Sequence, residues 1–378
     1  MRICLVGASH AVDDDRMFYR AAVTLSRKYK VEVIGAGESN AVFVKSSILV
    51  TSFRKRSKIG HILLIIAILI RIKSTKFDIL HCFDLESLAT AVLVSRIFAP
   101  RPIIIYDAHE DFPSIMAGLF PLPKTLAAAV QFFLDIFERF FASYCDGFIT
   151  DRDTLTERFN VYGKTTDKIR NLASLSWFDD AKQTNLLEDV SDPIVVFFGN
   201  LGERKGLGTA ISAYALLVSQ GVKVCLVLAG NLHDLPTGYP PSLKITGWLD
   251  YVEALPGLLK KASIGLALSK PVIRSYRTAP PAKVFHCMVA GLPVIASDNP
   301  GTGVGTIVET ENCGILVDPS SVEQVAQAIR KLLNDEDARS RMGKNARCAA
   351  EREYNWEMES QKLMKFYRKI LTTASKDN

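Results

Sequence analysis

The residues best suited to chemistry lie in a glycine-rich stretch that follows an apolar run in the second half of the chain. Residues 194–198 are apolar, and residues 199–208 then combine four glycines with the adjacent cations Arg204 and Lys205. Glycines let a backbone approach a ligand closely, and the predicted helix that follows offers free N–H groups and a positive dipole end. The stretch predicts a diphosphate site, although an ordinary strand–helix turn with solvated cations has the same pattern. The spacing does not match a Walker A motif.

A second candidate site centres on Lys283. Pro280 and Pro281 precede it, and residues 283–290 have the pattern of a short helix. A cation at a helix N-terminus is unfavourable for the helix dipole unless an anion lies between them. Such a conflict with a local rule is typical of a functional site. Residues 291–293 then turn the chain into an apolar run that predicts a buried strand.

Composition limits the classes of protein to consider. The chain has 378 residues, 48% hydrophobic and 23% charged, which is typical of a globular protein of about two to three domains. The net charge of +6 is too small to indicate nucleic acid as a partner. The seven cysteines form no C-x-x-C pair, which disfavours a disulfide framework or a zinc site and favours a cytoplasmic location. The apolar run at residues 1–7 is too short for a signal peptide.

One apolar segment needs a membrane test. Residues 62–70 are apolar without a break, but nine helical residues rise only about 13 Å, so the segment is too short to span a bilayer. Basic residues flank it at 54–58 and again at Arg71, Lys73 and Lys76. Two interpretations remain open, a helix buried against a sheet and a helix lying in the interface of an anionic leaflet.

The elements that must position these residues alternate between short β-branched runs and longer helical patterns, which is typical of parallel α/β sheets. The first half predicts strands at 2–8, 31–35, 77–83, 102–109 and 147–150, with helices at 16–29, 62–70, 85–98 and 124–144. The second half predicts strands at 194–200, 224–229, 243–247, 263–268 and 292–297, with helices at 208–220, 252–262 and 283–290. A serine-led capping box at 320–323 predicts a further helix, and the polar stretch 179–193 predicts a linker.

Further motifs follow one another along the chain. They are Gly199 with Lys205 and Gly206, Gly247, 255–259, 283–298, 314–317 and 354–357 in the second half, and 10–16, 81–84 and 106–110 in the first. Together they resemble the GT-B retaining glycosyltransferases of family 4, the glycosyl transferases group 1, over nearly the whole chain.

The resemblance implies the architecture and the reaction. Two Rossmann-like parallel-sheet domains would face a cleft, with a C-terminal helix crossing back to the first domain. Residues 1–182 with 355–374 would form the acceptor domain, and residues 183–354 the nucleotide-sugar donor domain. The activity would be transfer of a sugar from a nucleotide-diphosphate donor to a glycan or a lipid-linked acceptor, with retention and without a metal or other cofactor.

The resemblance also implies roles for matched positions. The predicted catalytic residues are His109, Arg204 and Lys205. The predicted donor-binding residues are Asn200, Gly202, Arg204, Lys205, Gly230, Trp248, Thr278, Lys283 and His286. The predicted acceptor-side residues are Asp14, Arg16, Asp84 and Glu110. In this interpretation the cations stabilise the leaving diphosphate, and His109 positions the sugar or the acceptor. Alternatively, His109 is a strand-end histidine paired with Asp107 or Glu110.

Three positions depart from the family pattern. Thr278 and His286 stand where the family often has two glutamates, and Asn200 stands where an arginine is often found. A neutral His286 could accept a hydrogen bond from the nucleotide ribose, although it brings no fixed negative charge. Either the ribose contact is changed, or donor binding is weakened and the protein is a degenerate, non-catalytic relative that binds a nucleotide or a partner enzyme.

The acceptor is the least constrained part of the prediction. Residues 114–123 form an apolar stretch bounded by prolines, which predicts an exposed loop for a lipid or protein contact. With the basic-flanked segment 62–70, it predicts a lipid-linked acceptor, cell-surface polysaccharide synthesis and a peripheral position at the inner face of the membrane. A nucleotide-sugar 2-epimerase also has two Rossmann-like domains and is the other enzyme class considered, although the Lys283 motif argues against it.

Overall fold

The computed structural model describes residues 1–54, 58–97, 100–119, 122–181, 186–232 and 239–374, without the side chains of 58–61, 119 and 374. The chain divides into two compact units. Unit 1 contains Met1–Asn171 and Glu359–Asn378, and unit 2 contains Leu172–Met358.

Unit 1 is built around an eight-stranded sheet. Its strands are β1 (Arg2–Ala11), β2 (Lys30–Gly37), β3 (Ala41–Lys45), β4 (Ile48–Arg54), β5 (Ile79–Cys82), β6 (Ile103–Ala108), β7 (Gly147–Thr150) and β8 (Thr165–Lys168). The strand order is β3-β4-β2-β1-β5-β6-β7-β8, and the paired strands run parallel except for β3 against β4. Its helices include a π-helix (Asp15–Ala22), α1 (Val23–Ser26), α2 (Lys58–Ser74), α3 (Leu85–Ser95), α4 (Phe112–Leu119), α5 (Lys124–Ala142) and α6 (Asp153–Asn160).

The core of unit 1 explains its apolar strands. Residues 3–6 of β1 are fully buried, as expected for a parallel strand covered on both faces. One hydrophobic cluster joins the strands to α2, α3 and α5, with Leu64, Leu88 and Phe141 among its members. Helices α2, α3 and α5 therefore lie in one layer against the sheet, and α3 contacts both of the others.

Unit 2 is built around a six-stranded sheet in which all the paired strands run parallel. Its strands are β9 (Ile194–Leu201), β10 (Cys225–Leu232), β11 (Lys244–Ile245), β12 (Ile264–Ala267), β13 (Val294–Ser297) and β14 (Gly314–Val317), in the order β11-β10-β9-β12-β13-β14. Its helices include α7 (Leu175–Asp179), α8 (Leu207–Ser219), α9 (Leu255–Lys261), α10 (Arg274–Thr278), α11 (Ala282–Ala290), α12 (Val304–Thr310), α13 (Val322–Asn334) and α14 (Glu336–Arg352). Short 3-10 turns occur at Glu203–Lys205 and Pro300–Thr302.

The last helix, α15 (Trp356–Ala374), is shared between the units. Its first residues belong to unit 2, where the Trp356 N–H donates to the Ala173 carbonyl at 2.9 Å. From Glu359 onward it belongs to unit 1, where the Tyr367 ring lies 6.0 Å from the ring of Tyr29. The predicted return of the C-terminal helix to the first domain agrees with this division of the chain.

The parallel α/β prediction is confirmed for both units, and the predicted strand 147–150 coincides with β7. The predicted domain change at 182/183 falls on residues 182–185, which lie outside the described residues. The boundaries between the two compact units fall at 171/172 and at 358/359. Leu172, Ala173 and Phe178 belong to unit 2 because they are buried in its core.

Other details of the prediction are wrong. The stretch 114–123 was predicted as a loop, but residues 114–119 belong to helix α4. Residues 120–121 lie outside the described residues. The helix predicted from the capping box begins one residue later, since Ser321 is the N-cap and accepts from the Gln324 N–H at 3.2 Å. The helix predicted at 16–29 is mostly a π-helix.

The segment predicted at 62–70 is the middle of α2, and its basic flank at 55–57 lies outside the described residues. Within the described parts of the chain, no helix is both long and apolar enough to cross a membrane.

Candidate functional site

The glycine-rich stretch of unit 2 forms a tight connection between β9 and α8. Strand β9 ends at Leu201, the turn Glu203–Lys205 follows, and Gly206 enters α8 with a φ of +78°. A Cβ at Gly206 would lie 2.9 Å from the Cβ of Leu268, so a side chain there would be strained and crowded. The predicted strand–loop–helix context is therefore present.

Neighbouring strand ends also approach closely. Gly230 on β10 pairs with Gly199 on β9, and a Cβ on Gly230 would come within 1.9 Å of the Gly199 carbonyl oxygen. The Asn231 side-chain amide lies 3.3 Å from the Asn200 side-chain oxygen. The predicted donor residues Asn200, Gly202 and Gly230 thus lie at the carboxyl ends of neighbouring strands, where parallel sheets bind ligands.

Lys283 lies in the first turn of α11 and reaches this edge of the sheet. Its Nζ is 3.5 Å from the position that a Cβ would occupy on Gly199, and it lies over the Phe197 ring, 5.6 Å from the centroid. Burial and the nearby charge of Lys205 lower the pKa of Lys283 to about 7. Within the described residues no carboxylate forms an ion pair with Lys283. The structure therefore holds a cation where an anion would stabilise it.

The other two predicted cations differ in exposure. Lys205 is half-buried, and its Nζ lies 3.6 Å from the centroid of the Tyr276 ring. Arg204 is exposed, and its carbonyl accepts a hydrogen bond from the Lys270 N–H at 3.0 Å. The structure brings Lys205 and Lys283 close enough for their charges to interact, whereas the Arg204 side chain points into solvent.

Aromatic residues lie next to Lys283 and α11. Trp248 is 49% exposed, and its ring lies 5.4 Å from the ring of Tyr251. The Tyr251 hydroxyl lies 3.1 Å from the Cβ position at Gly199, close to the Lys283 amine. Thr278 ends α10, and its hydroxyl donates to the Arg274 carbonyl at 3.3 Å. Trp248 and Tyr251 thus offer an aromatic surface beside Lys283, and the Tyr251 hydroxyl lies near its amine.

His286 is placed differently from the prediction. Its ring is only 1% exposed, and it packs edge-on against Phe178, Phe198 and Tyr251 at centroid distances of 5.2 to 6.4 Å. Its Nδ1 donates to the Ala282 carbonyl of its own helix at 2.9 Å. This burial under Tyr251 argues against a direct ribose contact, because the imidazole is part of the core.

One of the predicted acceptor-side residues, Arg16, forms a buried ion pair in unit 1. Arg16 binds Asp107 with two nitrogens, at 2.8 Å from Nη2 and 3.1 Å from Nε, and both residues are at most 3% exposed. Although burial opposes it, the Arg16 guanidinium and two neighbouring histidines hold the pKa of Asp107 well below its usual range. Arg16 was predicted to line the acceptor side, and the structure buries its side chain in this ion pair.

His109 follows directly after β6 and is 8% exposed. Its Nδ1 lies 3.2 Å from the Asp107 carbonyl and 3.4 Å from the Asp107 carboxylate, and its own carbonyl accepts from Arg152 at 2.5 Å. Its ring lies 5.3 Å from that of His10. Both its backbone and its ring are therefore held in place, as a positioning role requires.

The remaining predicted acceptor-side residues divide between structural and exposed positions. Asp84, predicted on the acceptor side, caps α3 by accepting from the Ser87 N–H at 2.7 Å and is 4% exposed. Asp14 caps the π-helix and also lies 3.4 Å from the His10 ring nitrogen. Glu110 is exposed.

Sequence reasoning assigned no role to His10, His81 or Tyr367. Burial lowers the pKa of His10, but the hydrogen bond and charge of Asp14 outweigh it and raise that pKa to about 10. His81 is fully buried between Tyr367, whose hydroxyl is 2.8 Å from its Nδ1, and Asp107, 3.5 Å from its Nε2. Tyr367 comes from α15, so no local motif could have revealed this contact. Among the described residues no cluster of three or more His, Cys, Asp or Glu side chains could hold a metal ion.

Comparisons with known proteins agree with this arrangement. The family model described as "Glycosyl transferases group 1" matches residues 178–348. The alpha-D-kanosaminyltransferase of Streptomyces kanamyceticus is 27% identical over 59% of this chain and 59% of its own length. The capsular polysaccharide biosynthesis glycosyltransferase CapM of Staphylococcus aureus is 24% identical over 51% of this chain and 50% of its own length. The chain thus aligns with only about half to three fifths of these relatives.

The solved structure of HepE from Anabaena in complex with UDP-glucose is 16% identical and has a TM-score of 0.68, with 98% of this chain and 100% of that chain covered. At this identity the likeness concerns the fold, which is the GT-B fold. The matched residues 178–348 include the glycine-rich turn and Lys283, so this part of the chain is similar to the glycosyl transferases group 1.

Proposed function

We propose that the protein is a retaining glycosyltransferase that moves a sugar from a nucleoside-diphosphate donor to a glycan or lipid-linked acceptor. The observation that carries this proposal is the position of Lys283. Its amine lies beside Gly199, and burial together with the nearby cation Lys205 lowers its pKa to about 7. A diphosphate is the kind of ligand that removes this conflict. The UDP-glucose bound to HepE supports the same class of donor.

In the proposed reaction, negative charge develops on the diphosphate as the bond to the sugar breaks. Lys283 and Lys205 stabilise that charge, and Arg204 supplies a third cation from the exposed turn. Fixed charges of this kind contribute more to the transition state than to the ground state, because they need no rearrangement as the bond breaks. His109 is proposed to position the sugar or the acceptor, and no metal is required by the proposal.

The relative CapM supports an acceptor used in cell-surface polysaccharide synthesis. A lipid-linked acceptor would require the enzyme to work from the cytoplasm at the inner face of the membrane. The basic residues Lys73 and Lys76 at the end of α2 support this location, because both are exposed.

A non-catalytic role is the second candidate. Thr278 and His286 replace the two glutamates of the family pattern, and His286 is buried in the core. In this case the protein would bind a nucleotide, or a partner enzyme, without turning over a donor.

Calorimetry with UDP, GDP and ADP, followed by a donor-hydrolysis screen over nucleotide sugars, separates the two candidates. We expect one nucleotide to bind and its sugar derivatives to be hydrolysed. Lys283→Ala should lower turnover by about 100-fold or more. Lys331→Ala removes an exposed lysine of α13 and should leave turnover unchanged. Nucleotide binding without hydrolysis of any donor would favour the non-catalytic role, and unchanged turnover in Lys283→Ala would refute the proposed site.

A further inference from the structure

Helix α5 turns an apolar face towards solvent. Its exposed large hydrophobic residues are Leu126, Phe132, Phe133, Ile136, Phe137 and Phe140, each at least 48% exposed. Phe133, Ile136, Phe137 and Phe140 follow one another at intervals that place them on one side of a helix. Soluble monomers rarely expose so many large apolar side chains on one helix face, so this face is adapted to a contact.

Buried ion pairs hold α5 in this orientation. On its opposite side, Glu138 is 1% exposed and accepts hydrogen bonds from Arg158 and from the Tyr106 hydroxyl, the latter at 2.9 Å. Asp135 binds the same Arg158 at 2.7 Å. The acidic side chains of α5 thus pair with Arg158 within unit 1, whereas Phe132, Phe133, Phe137 and Phe140 are exposed to solvent.

The neighbouring helices extend the apolar surface. The outer side of α2 exposes Ile62, Leu63, Ile66 and Ile70, and Leu93 on α3 and Ile97 in the turn after it are exposed as well. Because α2, α3 and α5 lie in one layer with α3 in contact with both neighbours, we call these residues and those of α5 the outer apolar face.

Among the described side chains of these helices and their ends, the exposed charges are positive. They are Lys73 and Arg96, near the ends of α2 and α3, and Lys124 and Arg139 on α5. Lys73 follows Ile66 and Ile70 at helical spacing, so it lies on the same side of α2. The acidic residues of the three helices are Glu86, Asp135 and Glu138, and each is bonded to another side chain of unit 1. Glu86, for example, accepts from the Ser9 hydroxyl at 2.6 Å.

We propose that the outer apolar face docks on an anionic lipid bilayer, with the α5 phenylalanines at the boundary between headgroups and acyl chains. Aromatic and aliphatic groups bury apolar area at that depth, and the surrounding lysines and arginines meet lipid phosphates. Charge complementarity selects this partner, because these helices offer cations without an exposed acidic group left unbonded. The docking surface itself does not depend on the proposed function. Only the suggestion that the enzyme meets a lipid-linked acceptor there rests on it.

The sequence had pointed to 62–70 and to 114–123 as the lipid contact. The structure moves the centre of the surface to α5, whose phenylalanines alternate with buried acidic residues along the chain. Residues 112–119 form α4 against α5, and the Ala117 side chain there is 5% exposed.

Vesicle flotation without donor or acceptor tests the docking surface independently of turnover. The full chain should float with vesicles of phosphatidylcholine and phosphatidylglycerol in equal parts, float poorly with pure phosphatidylcholine, and be released as salt is raised. The double variant F133Q/F137Q should bind at least about tenfold more weakly. Val161→Gln removes an apolar side chain that is 78% exposed elsewhere on unit 1 and should bind as the unchanged protein does. Nucleotide binding measured on the same samples verifies that unit 2 remains intact.

Fluorescence quenching measures how deeply α5 enters the bilayer. With brominated acyl chains in the same vesicles, a tryptophan introduced by Phe137→Trp should be quenched, whereas one introduced by Val161→Trp should not. Absence of flotation with the anionic vesicles, or equal flotation of F133Q/F137Q, overturns the proposal. If sedimentation instead shows a dimer that the double variant separates, with no vesicle binding, the occupant is a second copy of the chain. If nucleotide binding fails while flotation succeeds, the proposed function fails and the docking surface stands.

Discussion

The two units place charged side chains at the ends of their parallel strands, but they balance these charges in opposite ways. In unit 1, the buried guanidinium of Arg16 meets the Asp107 carboxylate, and His81 and His109 surround the same carboxylate. In unit 2, Lys283 lies beside another cation, and no carboxylate pairs with it in the described parts of the chain. The charges of unit 1 are balanced within the protein, whereas we propose that those of unit 2 are balanced by a bound anion.

Because of this difference, the charges of unit 1 should mainly affect stability and those of unit 2 should mainly affect ligand binding. A buried ion pair destabilises a protein strongly when one partner is removed, because the other charge remains buried. A buried cation without a counterion costs folding energy in the unliganded protein, and binding of an anion recovers that energy. We therefore expect changes in unit 1 to act on unfolding and changes in unit 2 to act on donor binding.

The largest effect should follow from Asp107→Asn. This substitution keeps the shape of the side chain but leaves Arg16 buried without its counterion, so the free energy of unfolding should fall by about 3–5 kcal/mol. Urea unfolding followed by fluorescence measures it. Lys283→Met, which removes a partly buried charge near Lys205, should leave that free energy unchanged or raise it. The comparison breaks if Lys283→Met destabilises the protein as much as Asp107→Asn.

The next effect concerns the pH dependence of donor binding. The pKa of Lys283 is lowered to about 7, so above that pH the free protein loses the proton that a diphosphate favours. Affinity for the nucleotide should therefore fall as pH rises above about 7, by up to tenfold per pH unit. Calorimetry in buffers of different ionisation enthalpy should show proton uptake on binding.

Lys283→Arg is the matched control for this experiment. Because a guanidinium stays protonated, the variant should bind without taking up a proton. Proton uptake that persists in Lys283→Arg would assign the titrating group elsewhere.

A smaller effect is expected for His10→Gln in unit 1. The pKa of His10 is raised to about 10, so its charged pair with Asp14 stabilises the fold fully below about pH 6.5, and this contribution is lost as pH rises through about 10. At neutral pH the variant should lose about 1–2 kcal/mol. Urea midpoints of the two proteins should converge above pH 10, and a constant difference at all pH values would exclude the ion pair as the cause.

The smallest effect should follow from His286→Leu. Since the imidazole is buried among aromatic rings, the substitution should change nucleotide affinity less than about threefold. Affinity is measured by the same calorimetry, and circular dichroism checks the fold. A loss of nucleotide affinity of tenfold or more would instead support the ribose contact predicted from the sequence.

Most of the parallel architecture could be predicted because its signals are local. Strand β9 is an apolar run followed by glycines, and Lys283 after two prolines indicated a helix start with a conflict of charge. The β3–β4 hairpin was not predicted. Its turn residues, Ser46 and Ser47, adopt positive φ values of 50° and 63°, whereas glycine or asparagine is the usual sequence signal for such a turn.

The pairing of distant charges could not be predicted. Arg16 and Asp107 are far apart in the sequence, and nothing near either residue indicates that they meet. Asp84 and Asp14 were predicted as acceptor-side carboxylates, and the sequence did not show that both also cap helices. Sequence spacing reveals what a segment can do locally, whereas burial depends on which segments become neighbours.

The division of α15 between the units has a consequence for the order of events during synthesis. Phe366, Tyr367 and Ile370 are buried in unit 1, and Tyr367 contacts His81 on β5. Unit 1 begins to leave the ribosome first, yet these side chains emerge only after all of unit 2 has been made. Until then the nascent first unit lacks the side chains that cover His81 on β5 and Gly147 on β7, whereas unit 2 can fold before unit 1 is complete.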